Sequence, residues 1–325
     1  MKILVTGGAG FIGHGVVAKL ERQGHDVYVL DNFTNYGIIP EREITLLHTE
    51  RLEKLNTKKI HRADIRDYHE VSKVFEECLP DIVIHCAAFP RAKVVDQNPM
   101  EGSSVLTGGL INLLRASERF KTRRFVYISS SMVYGDFTLM GYEDMACNPK
   151  GIYGILKLAG EDLTRDHCER AGIDYVILRP SAVYGPLDVE DRVVSKFLIA
   201  AMQNKEITVH GKDEVLDFTY VDDCVRGIVR AANNFNSSGR TYNITRGAGR
   251  TLLEAAEVAI SVVGSGRIKV VGADPKFPSR GTLSNIRAGQ DFGYRGRVDI
   301  EQGFKEYYEW LRHSIYGNSS SVSKS

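Results

Sequence analysis

Three glycines, Gly7, Gly10 and Gly13, follow a strand-length apolar run, Ile3–Thr6, and open a stretch with helical periodicity near Phe11–Gln23. Few features restrict a fold more. Glycine permits a tight turn between strand and helix, lets backbone N–H groups approach a bound group, and leaves the positive helix end facing an anion. The same grammar repeats downstream: Val27–Leu30, Ile82–His85, Phe125–Ile128 and Tyr175–Leu178 read as short buried strands. Helical stretches near Tyr68–Cys78, Pro99–Phe120 and Pro149–Ala171 lie among them. Such alternation predicts an α/β fold, a doubly wound parallel sheet with helices on both faces.

A carboxylate follows the second strand at Asp31, with Asn32 beside it. In this position a carboxylate accepts hydrogen bonds from the ribose hydroxyls of an adenosine and repels a 2′-phosphate. The expected cofactor is therefore NAD rather than NADP, its pyrophosphate on the Gly7, Gly10, Phe11, Ile12 and Gly13 segment. Tyr153 and Lys157 are four residues apart in GIYGILK, so a helix places them on one face a turn apart. A free phenol titrates near ~10 and is no base at neutral pH, but a neighbouring ammonium and an oxidised nicotinamide would both favour the phenolate.

Composition removes several alternatives. A chain of 325 residues with 43% hydrophobic and 26% charged residues reads as a soluble globular protein of one large or two interleaved domains. Lys plus Arg (42) balances Asp plus Glu (41), leaving no basic field for nucleic acid or an anionic membrane. Cys78, Cys86, Cys147, Cys168 and Cys224 are odd in number and form no C-x-x-C pair, which favours reduced thiols. The opening MKILVTGG is too short for a signal peptide, no apolar run would span a membrane, and cytoplasmic location is the expectation. No ligand spacing suggests a metal site.

These residues together resemble the extended short-chain dehydrogenase/reductase family in its nucleotide-sugar epimerase/dehydratase branch, with enzymes like UDP-glucose/UDP-galactose 4-epimerase. The likeness spans nearly the whole chain. It rests on Gly7–Gly13, Asp64-Ile65-Arg66-Asp67, His85-Cys86-Ala87-Ala88, Ser129–Gly135, Tyr153-x-x-x-Lys157, Arg179-Pro180, Val183–Pro186 and Asp217–Asp223. The resemblance implies a Rossmann domain in which Asp64 and Ile65 contact the adenine, Ala87 and Ala88 line the cofactor, and Pro180 and Val183 sit near the nicotinamide. It implies Ser130, Tyr153 and Lys157 as catalytic residues, with Ser129 and Ser131 competing for the serine role. For substrate it implies Ser130, Ser131, Tyr153 and a phosphate-binding Arg280; Phe89 and Arg91 are expected to approach the sugar.

This sequence departs from the family pattern at three positions where polar residues are usual: Leu106, Ala182 and Leu216. A fourth departure bears on the reaction. Dehydratases of the family carry carboxylates directly after the catalytic Ser/Thr, and decarboxylases commonly keep Glu, where this chain has Ser131 and Met132. A 4-epimerase needs no such group: it oxidises C4 to a ketone, turns the sugar and returns the hydride. The expectation is a nucleotide-hexose 4-epimerase; another nucleotide-sugar oxidoreductase, dehydratase or decarboxylase is the alternative, and a non-catalytic NAD-binding module a third reading of a different class.

The expected organisation is a cofactor domain from 1–178 plus about 214–245, a substrate portion from about 179–213 plus 246–316, and a frayed tail at 317–325. Asp217–Tyr220 followed by Val221–Asn233 is expected to return to the main sheet. Relatives pair through helices equivalent to 99–120 and 149–171, so a homodimer is implied. His14, His85 and Trp310 read as packing residues.

Overall fold

The structure, a computed structural model, describes residues 1–34, 37, 40–89, 92–188, 191–275 and 278–314. The tail expected at 317–325 lies outside them. Seven strands form the central sheet: β1 (Lys2–Thr6), β2 (Asp26–Asp31), β3 (Ile60–Arg62), β4 (Ile82–His85), β5 (Arg124–Ile128), β6 (Asp174–Pro180) and, last in the chain, β11 (Arg240–Ile244). Their order is β11-β6-β5-β4-β1-β2-β3, and every pair is parallel. Buried residues throughout β4 and β5 fit a sheet covered on both faces. The doubly wound α/β fold read from the sequence is the fold observed.

Helices α1 (Gly13–Arg22), α2 (Glu41–Glu53), α3 (Tyr68–Cys78), α4 (Ala92–Gln97), α5 (Pro99–Ser103), α6 (Leu110–Arg119) and α7 (Gly151–Ala171) precede β6. A π-helical stretch, Ser104–Gly109, joins α5 to α6, so the helix expected over 99–120 is present but underwound in the middle. Asp67 caps α3 by accepting from the backbone N–H groups of His69 (2.8 Å) and Glu70 (3.1 Å). One face of the sheet packs α1 against α9 (Val221–Asn233), where Val16, Val17, Val225 and Ile228 are buried. Burying each such side chain contributes about 1.5–3 kcal/mol. On the opposite face α3 and α6 enclose Phe75, Leu110 and Leu113.

The expectation for 217–220 is corrected. Thr219–Tyr220 (β10) pairs with Val183–Tyr184 (β7) in a separate two-stranded sheet, and β11 completes the main sheet beside β6. Asp217, just before β10, is buried with its carboxylate accepting from the N–H groups of Gly247 (3.1 Å) and Leu283 (3.2 Å). Beyond β7 come α8 (Val193–Met202) and β8 (Glu206–His210), then β9 (Val215–Leu216) and β12 (Arg250–Thr251), which pair with each other. After them α10 (Leu252–Val263), β13 (Arg267–Val271), α11 (Ile286–Phe292) and α12 (Ile300–His313) complete the described chain. A third apolar cluster here joins Phe197, Leu198, Ala255, Phe304 and Leu311.

Candidate active site

Strand order reverses between β1 and β4, and their carboxyl ends open a crevice at that point, where ligands of such sheets bind. The Thr6 hydroxyl and His85 Nδ1 lie 2.8 Å apart across the two strands, which fixes the floor. Burial lowers His85 to about 3, so it is a neutral part of that floor. Gly7 leaves β1 at φ +69°, and a Cβ there would lie 2.6 Å from the Ala87 nitrogen. A Cβ on Gly13 would stand 2.0 Å from the Gly7 carbonyl oxygen, so the turn admits no side chain. The first turn of α1 carries no acid. A dinucleotide fits these residues: backbone amides and a helix N-terminus face the cleft, and Asp31 stands at the end of β2.

Most residues expected at the cofactor line this one cleft, including Gly7, Gly10, Phe11, Ile12, Gly13, Asp31, Asn32, Ile65, Ala87, Ala88, Pro180 and Val183. The Asp31 carboxylate accepts from the N–H groups of Ala9 (2.9 Å) and Phe33 (2.8 Å). Burial raises its pKa, with those two bonds and Arg51 opposing. Asp64 stands outside the lining: its carboxylate is held by Arg66 (2.7 Å) and by the Asn32 amide (3.1 Å).

At the other end of the cleft, α7 presents Tyr153 and Lys157. Lys157 Nζ donates to the Ile128 carbonyl (2.8 Å) and lies 5.9 Å from the Tyr153 ring centroid. Burial pushes the ammonium down to about 8, with Cys86 and Glu161 opposing. Burial likewise raises the Tyr153 phenol, while Arg192 and a hydrogen bond with Ser130 pull it back toward the phenolate.

Three consecutive serines follow β5, and each has a different partner. The Ser129 hydroxyl donates to Glu161 (2.5 Å), and the Ser131 hydroxyl accepts from Arg280 (2.9 Å). Ser130 bonds Tyr153 and also accepts from the Met132 N–H (3.2 Å) at the start of a short 3₁₀ turn. Ser130 is thus the serine that the fold brings to the phenol.

Substrate expectations fare unevenly. Arg280 and Ser131 meet each other, but neither lines the cleft; burial lowers the arginine to about 10, with Glu214 opposing. Phe89 is 0% exposed and packs in the core with Val95 and Val105, because an apolar ring at a strand end is more stable under the adjoining helices than at a polar ligand. Its side chain thus lies in the core and outside the cleft lining. Arg91 lies outside the described residues. Leu106 is buried in the same core, and Ala182 lines the cleft at φ +38°.

Sequence reasoning overlooked Ile44, His48, Arg51, Asp188 and Arg192, all of which line the cleft. Pro40 before Glu41 and the Ile44/Leu47/Arg51 spacing are a legible helix signal for the first three. Nothing local marks Arg192, whose guanidinium Nε bonds Asp188 (3.1 Å).

Comparison with known proteins gives the same picture. The model of the NAD dependent epimerase/dehydratase family matches residues 3–245. UDP-glucuronate 4-epimerase 1 of Arabidopsis thaliana is 29% identical over 340 residues, covering 98% of this chain and 78% of that protein. The dTDP-D-glucose 4,6-dehydratase of Homo sapiens is 25% identical over 333 residues, covering 97% and 91%. The UDP-glucuronic acid 4-epimerase of Bacillus cereus, solved with UDP-glucuronic acid and NAD, superposes with a TM-score of 0.88 at 28% identity, covering 96% of this chain and 99% of that one.

Proposed function

The chain belongs to the NAD-dependent epimerase/dehydratase family, and from that premise we propose that it is a nucleotide-sugar 4-epimerase. Bound NAD⁺ supplies the acceptor and later the donor of the C4 hydride. Tyr153 takes the proton of the sugar hydroxyl as the C–H bond breaks, and returns it when the ketone is reduced on its opposite face. Lys157 holds the phenolate by its charge, and Ser130 hydrogen-bonds the same hydroxyl. No net redox change results.

One observation supports epimerisation over elimination of water. Met132 follows the serines where a dehydratase keeps an ionising group, and among the described residues the only carboxylates lining the cleft are Asp31 and Asp188. Asp31 stands at the adenosine end and Asp188 is paired with Arg192. Among the described residues, a ketone formed at C4 would therefore meet no second carboxylate base at C5.

Arg192 also places a cation beside Tyr153, which suits a sugar bearing a carboxylate. UDP-glucuronate and UDP-glucose are accordingly the first two substrates for a panel run without added cofactor. Conversion to the C4 epimer without accumulation of NADH is expected; release of water or carbon dioxide would overturn the assignment. Tyr153→Phe removes the proton acceptor and should lower kcat by roughly 10²–10⁴ while leaving bound NAD in place, read by acid release of the nucleotide.

A further inference from the structure

One side of the cofactor cleft is built by residues that the reaction does not use. Arg51 of α2 lines it, as does Asp188 beyond β7, and the arginine joins these two segments. Its guanidinium donates from Nε (3.2 Å) and Nη2 (2.7 Å) to the Leu187 carbonyl, and from Nη1 (3.4 Å) to the Ala9 carbonyl inside the glycine loop. Arg51 is 3% exposed. Three stretches of chain far apart in sequence are thereby tied at one planar group.

Leu187 carries φ +68°, the left-handed region that a leucine rarely adopts. Such a backbone persists only where its surroundings fix it. Here the Arg51 fork holds its carbonyl, and its side chain packs with Ile44 and Leu47 of α2 and with Trp310 of α12. The Trp310 indole N–H donates to Glu50, the residue before Arg51 (3.2 Å). A strained loop, a buried arginine and a remote tryptophan therefore form a single knot at the rim of the cleft.

We propose that this knot is a clasp that retains the dinucleotide, with Arg51 as its positioning residue and Trp310 as its buttress. An enzyme that oxidises a sugar and then reduces it must keep the reduced cofactor through both halves, since its escape would leave the keto sugar stranded. The clasp itself rests on the family's dependence on NAD and not on the epimerase assignment. Retention is also read without any sugar substrate, so the two ideas fail separately.

The test follows cofactor release. The purified protein is loaded with NAD, passed through gel filtration, and challenged with excess fluorescent etheno-NAD while exchange is recorded. Wild type should keep its NAD through the column. Arg51→Met, which preserves length but removes the donors, should release it about tenfold faster or more. Trp310→Leu decides between a clasp and a simple contact, because Trp310 does not line the cleft; it should speed release several-fold. Circular dichroism checks that each variant is folded. Should Arg51→Met not fold, Arg51→Lys takes its place: it keeps the charge but loses the planar fork, and faster release is again expected. Release at the wild-type rate from the folded Arg51 variant, or acceleration confined to Arg51 with Trp310→Leu unchanged, would overturn the clasp.

Discussion

Lys157 is an ammonium buried where burial disfavours its charge, and its titration exposes that conflict. The folded protein releases this proton near pH 8, whereas the unfolded chain holds it to the ordinary 10.5. Below the folded value the full penalty of burying the charge is present. Between the two values the unfolded state binds more protons, so the contribution of this group to stability rises with pH. In urea unfolding, the stability of wild type relative to Lys157→Met should rise by about 1–2 kcal/mol between about pH 7.5 and about pH 9.5; the buried thiols, raised by burial in both proteins, cancel in that difference. The three serines teach the complementary lesson. Sequence narrowed the catalytic hydroxyl to Ser129, Ser130 or Ser131, and only their partners Glu161, Tyr153 and Arg280 separate them.

Among the elements, α7 does the most to organise the site. Tyr153, Lys157 and Glu161 recur every four residues and share a face. The third of these anchors the helix: Glu161 is 0% exposed and accepts from Arg179 of β6 at 2.8 and 2.6 Å, as well as from Ser129. Arg179 reaches onward to the Glu143 carbonyl (3.1 Å). Glu161→Gln would leave a buried guanidinium without its counter-charge, and the expected loss is about 3–5 kcal/mol in denaturant unfolding. The same variant should shift the pH dependence of turnover, because Glu161 also favours the charged form of Lys157. Unchanged stability and an unchanged profile would show that the pair has no part in setting the site.

At the scale of the whole molecule, the helices that lead to and carry the catalytic pair also present Met100 (84% exposed), Ile111 (41%) and Ile155 (52%) to the surface. Burial of these side chains against a second copy is the proposal that follows from the resemblance, and it predicts a sedimenting species of two chains. Ile155→Glu should shift that species toward one chain at equal protein concentration. Much else about this protein is legible in its sequence alone. The glycine turn, Asp31 after β2, the strand and helix alternation and the Tyr153/Lys157 spacing all express short-range backbone sterics and helical period, which neighbours in sequence suffice to set. Tertiary structure decided what depends on residues distant in the chain: β11 rather than 217–220 beside β6, Phe89 in the core, Ser130 at the phenol, and Arg51 and Arg192 at the cleft. Apart from the helical period that carries Arg51 on α2, none of these leaves a local trace, because each position is fixed by packing and charge between segments that meet only after the sheet has formed.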